Sequence, residues 1–191
     1  MKKNILFIGG SSGIGLETIK LLHEKHNLIV ACRTDENLGG LNIKYLNFDV
    51  LKDELDLEQI PEILDGFVYF PGSINLRPFR GLKLDTFEED LNINFLCMVK
   101  TLQKVLNNLK QSNSSSVVLY STVAVKVGMP FHTSVSASKG AIEGFAKSLA
   151  AELAPNIRVN VIAPSLTDTP LASRFLNCLL YTSDAADDTL C

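Results

Sequence analysis

Three glycines near the amino terminus have the spacing of a phosphate-binding turn. Gly9, Gly13 and Gly15 follow an apolar run over residues 4–8, and a helical pattern of apolar residues comes after them. Glycine permits a tight turn, lets backbone approach a ligand, and lets a helix pack closely against a strand. The first turn of that helix offers free N–H groups to an anion. The pattern predicts a dinucleotide site. We expect the following residues to contact the cofactor: Gly9, Ser11, Ser12, Gly13, Ile14 and Gly15.

Strand-like and helix-like segments alternate along the chain, which is typical of a parallel sheet covered by helices on both faces. The sequence therefore predicts an α/β fold in which the glycine turn joins the first strand to the first helix. Strands are expected at 4–8, 27–31, 43–48, 66–70, 116–121 and 157–162. Helices are expected at 13–25, 54–64, 86–110 and 134–153.

Composition excludes several classes of protein. Of the 191 residues, 46% are hydrophobic and 20% are charged, as in soluble globular proteins. No apolar run approaches the roughly 18 residues of a membrane span. The net charge is −3, and the sequence contains no basic stripe. We therefore expect neither a membrane nor a nucleic-acid partner. The four cysteines have neither metal-site nor disulfide spacing, and no cleavable signal follows Met1. We expect a cytoplasmic protein without a metal site.

The carboxyl-terminal segment 178–191 differs from the rest because neither helical nor strand periodicity fits it. It resembles the translation of a sequencing adapter, in which case the natural sequence stops near Asn177 and the gene is cut short. A genuine terminus without regular structure is the alternative. We expect one domain over 1–177 and a non-native tail after it.

From Met1 to about Asn177, motifs in the same order resemble those of the short-chain dehydrogenase/reductase family. In the family's first-turn pattern, Thr-Gly-x-x-x-Gly-x-Gly, Ile8 takes the Thr place and all three glycines are present. The resemblance implies a Rossmann-type, doubly wound parallel sheet in three layers, with the family's last strand and helices missing. It also implies an NAD(P)-dependent oxidoreductase with a small carbonyl or alcohol substrate, and a homodimer or homotetramer when full length.

Two motifs bear on which cofactor would bind. Cys32 stands where NAD-preferring members usually carry an Asp, and Arg33 follows it. No carboxylate is available there for a ribose 2′-hydroxyl, whereas Arg33 can pair with a 2′-phosphate. This favours NADP(H) over NAD(H), with a solvated surface arginine as the alternative. Asp49 and Val50 resemble the family's Asp-Val pair, whose Asp accepts from the adenine amino group. Capping of the next segment by Asp49 explains that residue equally well.

Two further segments resemble cofactor-binding motifs less completely. After strand four the family has Asn-Asn-Ala-Gly, and residues 69–72 keep only Gly72. After strand six, Pro164 to Thr169 resembles the family's Pro-Gly-x-x-x-Thr, with Ser165 in the Gly place. The resemblance implies that Thr169 contacts the nicotinamide carboxamide or the pyrophosphate. Simple turn formation is the alternative.

Three residues match active-site positions of the family. Asn94 falls where a helix Asn holds a proton-relay water, although a buried Asn satisfying helix backbone is the alternative. Lys139 matches the Lys that binds the nicotinamide ribose and lowers the pKa of a Tyr one helical turn earlier. Thr122 stands in the place of the Ser that hydrogen-bonds the substrate carbonyl. The resemblance implies that Asn94, Thr122 and Lys139 are catalytic.

The family's tyrosine position is occupied by Val135. The phenol is the general acid that protonates the reduced carbonyl, and losing a general acid costs roughly 10²–10⁴ in rate. His132 is one candidate substitute, since histidine exchanges protons near neutral pH. Other candidates are the flanking hydroxyls of Ser134 and Ser136, and Lys139 acting together with a water molecule. The sequence leaves the proton donor open, together with a second function: a cofactor-binding sensor or oligomer partner with little or no turnover.

Overall fold

A computed structural model describes residues 1–173, so the expected boundary at 177 and the segment 178–191 lie outside the described residues. Six parallel strands form one sheet in the order β3-β2-β1-β4-β5-β6. The strands are β1 (Asn4–Ile8), β2 (Asn27–Cys32), β3 (Ile43–Asn47), β4 (Gly66–Tyr69), β5 (Ser115–Tyr120) and β6 (Ile157–Ile162). The chain reverses its direction of travel across the sheet between β1 and β4, which confirms the predicted doubly wound fold.

Five α-helices accompany the sheet in the described residues. They are α1 (Gly13–Leu22), α2 (Leu84–Leu91), α3 (Cys97–Lys110), α4 (Ala124–Val127) and α5 (Thr133–Leu153). A π-helical turn, Asn92–Leu96, joins α2 to α3, and 3₁₀ turns lie at Leu57–Gln59 and Phe79–Gly81. None of the helices within residues 1–173 is long and apolar enough to cross a membrane.

Alternating residues of the central strand build the two sides of the core. Leu6, Phe7 and Ile8 of β1 are fully buried. Leu6 and Ile8 belong to a cluster that includes residues of α3 and α5, whereas Phe7 packs with Ile19 of α1. Because successive side chains of a strand point to opposite faces, one apolar run serves both layers. This two-sided burial holds the strand ends, and the loops that follow them, in a fixed arrangement.

The helix expected at 54–64 is wrong. Only the 3₁₀ turn Leu57–Gln59 forms there, and the Asp56 side chain accepts a hydrogen bond from the Glu58 N–H at 3.0 Å. Ile60 is extended, with φ −98° and ψ 134°. It precedes Pro61, whose ring disfavours the helical conformation in the residue before it.

The other helices differ from expectation mainly at their ends. α1 stops at Leu22 rather than at 25, because a turn closes there, with the Lys25 and His26 N–H groups bonded to the Leu22 carbonyl. The span expected as one helix over 86–110 contains the π-helical turn. The short helix α4 was not expected. Strand boundaries agree with the prediction to within one residue.

Candidate functional site

A cavity of about 1480 Å³ lies where the strands end, and residues that follow all six strands line it. Open α/β sheets bind ligands in this crevice outside the carboxyl ends of their strands. The residues that match the family's catalytic and cofactor-binding positions all line it: Gly9, Ser11, Ser12, Gly13, Ile14, Gly15, Arg33, Asp49, Val50, Gly72, Asn94, Thr122, Lys139, Pro164 and Thr169.

The glycine turn has a backbone that residues with side chains rarely adopt. Gly9, Gly10 and Gly13 have φ angles of 77°, 109° and 56°. A Cβ placed on Gly15 would stand 2.6 Å from the Cα of Gly10, so α1 packs directly against the turn. Both properties allow a ligand to approach the backbone closely.

The amino-terminal end of α1 lacks a side-chain cap. Ser12 precedes the helix in an extended conformation, its side chain makes no capping hydrogen bond, and the first turn holds no acidic residue. The N–H groups of the first turn therefore remain available to an anion. Thr169 stands against this turn, since a Cβ on Gly13 would lie 3.2 Å from the Thr169 Cγ2. The arrangement fits a pyrophosphate.

The end of β2 supplies a cation and no carboxylate. Cys32 is buried, its thiol donates to the Thr34 carbonyl at 3.2 Å, and burial raises the pKa of that thiol. Arg33 is exposed and takes part in none of the ion pairs among residues 1–173. Asn37, which the sequence reasoning missed, donates to the Ser11 carbonyl at 3.0 Å and ties this loop to the glycine turn. Arg33 is thus available to a ligand anion.

Asp49 has a structural partner after β3. Its Oδ1 accepts from the Leu51 N–H at 3.1 Å, and its Oδ2 lies 3.7 Å from the Lys52 Nζ. This is the turn-capping arrangement raised as an alternative for this residue. The same residue also lines the cavity beside Val50.

Asn94 lies in the π-helical turn and presents one unsatisfied atom. Its Nδ2 donates to the Asp90 carbonyl at 2.8 Å and to the Ser73 Oγ at 3.1 Å. Its Oδ1 is buried without a hydrogen-bond partner among the described residues. Because a buried acceptor left unpaired is costly, this oxygen is suited to a water or a ligand hydroxyl.

Asn94 and Lys139 meet beside Gly72. A Cβ placed on Gly72 would lie 2.8 Å from the Asn94 Oδ1 and 3.4 Å from the Lys139 Nζ. Burial lowers the pKa of the Lys139 ammonium to about 8, and the nearby Asp90 charge opposes that shift. The absence of a side chain at position 72 therefore keeps a space open between an amide oxygen and an ammonium group.

A buried carboxylate that the sequence reasoning missed organises this region. Asp90 of α2 is fully buried and accepts hydrogen bonds from Ser73, from Asn75 at 2.8 Å and from Ser134 at 2.7 Å. It therefore connects the loop after β4 with α2 and α5. Its place one helical turn before Asn94 was a usable signal, because residues four apart share a helix face.

The wall near α5 combines polar loops with an apolar side chain. Thr122 Oγ1 accepts from the Ala124 N–H at 3.3 Å, and the Val123 N–H donates to the Pro164 carbonyl at 3.1 Å. The second of these bonds joins the loops after β5 and β6. Val135 is 4% exposed and lines the cavity with methyl groups that have no proton to give.

Aromatic packing replaces the amides that the resemblance would place after β4. The Phe70 ring lies 5.7 Å from the Phe7 ring and 5.1 Å from the Tyr120 ring. A Cβ on Gly9 would be 3.0 Å from the Pro71 Cδ. The cavity beneath the glycine turn is therefore walled by rings, and the backbone there remains the source of hydrogen bonds.

The fold and the site together define an α/β protein with a phosphate-binding turn at the centre of its sheet. The chain belongs to the short chain dehydrogenase family, whose model matches residues 3–177. Cyclopentanol dehydrogenase of Comamonas testosteroni is 27% identical, covering 92% of this chain and 77% of the relative. Carbonyl reductase family member 4 of Danio rerio is 32% identical, covering 91% and 79%.

Solved structures agree with this assignment. A short chain dehydrogenase from Shigella flexneri, complexed with NADP, is 25% identical with a TM-score of 0.82, covering 91% of this chain and 82% of that one. A second, from Escherichia coli and complexed with NADPH, is 25% identical with a TM-score of 0.82, covering 91% and 81%. The comparisons confirm the family and the Rossmann-type fold that the sequence predicted.

Proposed function

We propose that this protein is an NADP(H)-dependent oxidoreductase that transfers a hydride between its cofactor and a small carbonyl or alcohol substrate. The observation that carries the proposal is one cavity lined by the glycine turn, by Arg33 and by the Asn94–Lys139 pair. The solved neighbours complexed with NADP and NADPH support it, as do relatives named as a dehydrogenase and a reductase.

The residues of the turn suit the phosphates of the cofactor. The free N–H groups of α1 and the residues Gly9, Ser11, Ser12, Gly13, Ile14 and Gly15 would hold the pyrophosphate. Arg33 would pair with a 2′-phosphate, which favours NADP(H) over NAD(H). In the same proposal Asp49 and Val50 flank the adenine. Gly72, Pro164 and Thr169 border the nicotinamide half.

Bound NADPH would supply the hydride, and this chain's side chains would arrange the acceptor. The Thr122 hydroxyl donates to the substrate carbonyl and fixes its orientation. Lys139 donates to the ribose hydroxyls. The unpaired Asn94 Oδ1 accepts from a water beside the Lys139 ammonium, which meets the need of a buried acceptor.

A second candidate function is cofactor binding with little or no turnover, as in a sensor or a silent oligomer partner. Val135 favours it, because a valine cannot protonate the product. The rings at Phe70 and Pro71 favour it as well, because they remove side-chain hydrogen bonds from the cofactor site.

Calorimetric titration with NADPH and NADH, followed by stopped-flow mixing with ketones and aldehydes, separates these functions. The oxidoreductase should bind NADPH more tightly and consume it. Tight binding without consumption, together with activity gained in Val135→Tyr, would establish the second function. Absence of binding to either cofactor would refute both.

We further propose that the protein is cytoplasmic and forms a homodimer or homotetramer. Leu91 and Leu96, at the junction of α2 and α3, are 38% and 50% exposed and support self-association. Cys32 and Cys97 are free thiols, which suits a reducing compartment. Light scattering at several concentrations tests the assembly, and a monomer throughout would contradict it.

A further inference from the structure

Because Val135 is apolar, the cavity wall at this position has no group that can protonate the carbonyl oxygen during reduction. The carbonyl carbon takes the hydride, and the oxygen must then gain a proton to give the alcohol. Val135 is buried in the cavity wall and provides none. The inference about which group provides this proton rests on the proposed oxidoreductase function.

The two serines beside Val135 are poorly placed for this role. Within the described part of the chain, neither Ser134 nor Ser136 lines the cavity. The Ser134 hydroxyl already donates to the Asp90 carboxylate at 2.7 Å. Both candidates raised from the sequence are therefore set aside.

Besides Thr122, which orients the substrate carbonyl in the proposed function, three other residues with hydroxyl groups, among those that the structure describes, line this part of the cavity. Ser121 donates to the Glu143 carboxylate at 2.6 Å, and Ser73 donates to that of Asp90. Burial raises the pKa of the Tyr120 phenol, and the Thr18 hydroxyl of α1 only partly opposes that shift. These groups are poor donors to a substrate held beside Lys139.

His132 lies on the same wall, at the start of α5. It lines the cavity with Val135 and Lys139, three and seven residues further along. Residues three or four apart share a helix face, so the three side chains form one stripe. With a rise of about 1.5 Å per residue, the His132 backbone lies about 5 Å along the axis from that of Val135.

One hydrogen bond determines the state of the His132 ring. Nδ1 lies 2.7 Å from the Pro130 carbonyl oxygen. A carbonyl oxygen can only accept, so Nδ1 must carry a hydrogen. The acid–base chemistry of the ring is therefore left to Nε2, because whichever proton the ring exchanges resides there.

The loop that carries His132 is held in a strained conformation. Phe131 has φ 67°, which is uncommon for a residue with a large side chain. Its carbonyl accepts from the Arg77 N–H at 3.2 Å, and the His132 N–H donates to the Met129 carbonyl at 3.3 Å. Such strain persists where the surroundings hold it and is frequent at functional sites.

We propose that His132 is the proton donor of this oxidoreductase, in place of the tyrosine. In carbonyl reduction, NADPH is oxidised as its hydride forms a C–H bond at the carbonyl carbon. The N–H bond at Nε2 of the His132 imidazolium breaks, and its proton joins the carbonyl oxygen. The ring is left neutral with its hydrogen on Nδ1, still hydrogen-bonded to the Pro130 carbonyl, and a proton taken up from solvent restores the N–H bond at Nε2. Oxidation of an alcohol runs through the same groups in reverse.

Four proteins test this: the parent, His132→Asn, Val135→Tyr and the double variant. We expect His132→Asn to lower kcat by roughly 10²–10⁴-fold, the usual range for losing a general acid. In the Val135→Tyr background the phenol takes over, so the same His132→Asn change should cost less than about tenfold. His26→Asn, outside the cavity, is the matched control and should leave kcat unchanged.

Two readouts besides turnover keep the outcomes distinct. NADPH affinity, measured by calorimetry, should be unchanged in His132→Asn, and ¹⁵N NMR of the imidazoles should show His132 with its hydrogen on Nδ1. His132→Gln replaces His132→Asn if the latter fails to fold. An active parent whose kcat is unchanged by the His132 substitution would overturn the inference and direct attention to Lys139 with water. A parent that binds NADPH without turnover would overturn both the proposed function and this inference.

Discussion

The Asp90 carboxylate accepts a hydrogen bond from the Ser134 hydroxyl at 2.7 Å, which connects the last turn of α2 to the first turn of α5. Asp90 is fully buried, and two donors from the loop after β4 share its other oxygen. The loop beside Gly72 is thereby held to both helices.

Asp90→Ala should lower the free energy of unfolding by about 2–5 kcal/mol, because buried donors lose their acceptor. Asp90→Asn should cost less, since the amide oxygen still accepts. Asp85→Ala, on the exposed part of α2, is the control and should change stability by less than about 0.5 kcal/mol. Urea unfolding measures all three, and an Asp90→Ala protein as stable as the control would contradict the role of the network.

Lys139 should make the folded protein more stable as pH rises just above 8. Burial lowers its pKa to about 8, whereas an unfolded lysine titrates near 10.4. Between these values the unfolded chain binds more protons, so the free energy of unfolding increases with pH.

Unfolding of the parent and of Lys139→Met at about pH 7 and about pH 9 should reveal this rise in the parent alone. Cys32 and Cys97, whose thiol pKa values burial raises, act in the opposite direction at high pH. They are present in both proteins and cancel in the comparison. Identical pH dependence in the two proteins would show that Lys139 is not the group responsible.

Arg33→Ala should weaken NADPH binding by roughly 10–100-fold and leave NADH binding nearly unchanged, because a charge-assisted hydrogen bond is worth about 1.5–3 kcal/mol. Adding Cys32→Asp should then favour NADH, since the carboxylate can accept from a ribose hydroxyl. Arg80→Ala removes a different arginine from the same cavity and serves as the control. Calorimetric titrations with both cofactors decide the matter, and an equal loss for both would rule out selective pairing with the 2′-phosphate.

Two glycine substitutions should have opposite effects on stability. Gly15→Ala places a Cβ 2.6 Å from the Gly10 Cα, and such overpacking costs about 1–3 kcal/mol. Gly144→Ala meets nothing within 4 Å inside α5, and alanine there should add about 0.5–1 kcal/mol. Thermal unfolding compares the two variants, and NADPH affinity should fall only in Gly15→Ala. Matching behaviour of the two variants would contradict the packing argument.

Local chemistry explains what the sequence predicted well. Strands such as β2, buried along nearly their whole length, appear as continuous apolar runs, and the glycine turn carries its own backbone requirement. The helix expected at 54–64 failed because the effect of Pro61 on the residue before it was overlooked. The Asp90 network escaped notice because its partners Ser73 and Ser134 are 17 and 44 residues away in the chain. Such pairings depend on how the helices pack, which periodicity alone does not specify.

The π-helical turn at Asn92–Leu96 determines how α3 is rotated about the helix axis relative to α2. The Cys97 N–H bonds to the Asn92 carbonyl five residues back, so this turn holds one residue more than an α-helical turn. Each residue of an α-helix advances about 100° around the axis. Deleting one residue here would straighten the helix and rotate α3 by that angle relative to α2. Either Asn94 would leave the cavity wall or Met98 and Leu102 would leave the core. Because of this extra residue, the continuous helix formed by α2, the π-helical turn and α3 can place Asn94 in the cavity wall and Met98 and Leu102 in the core.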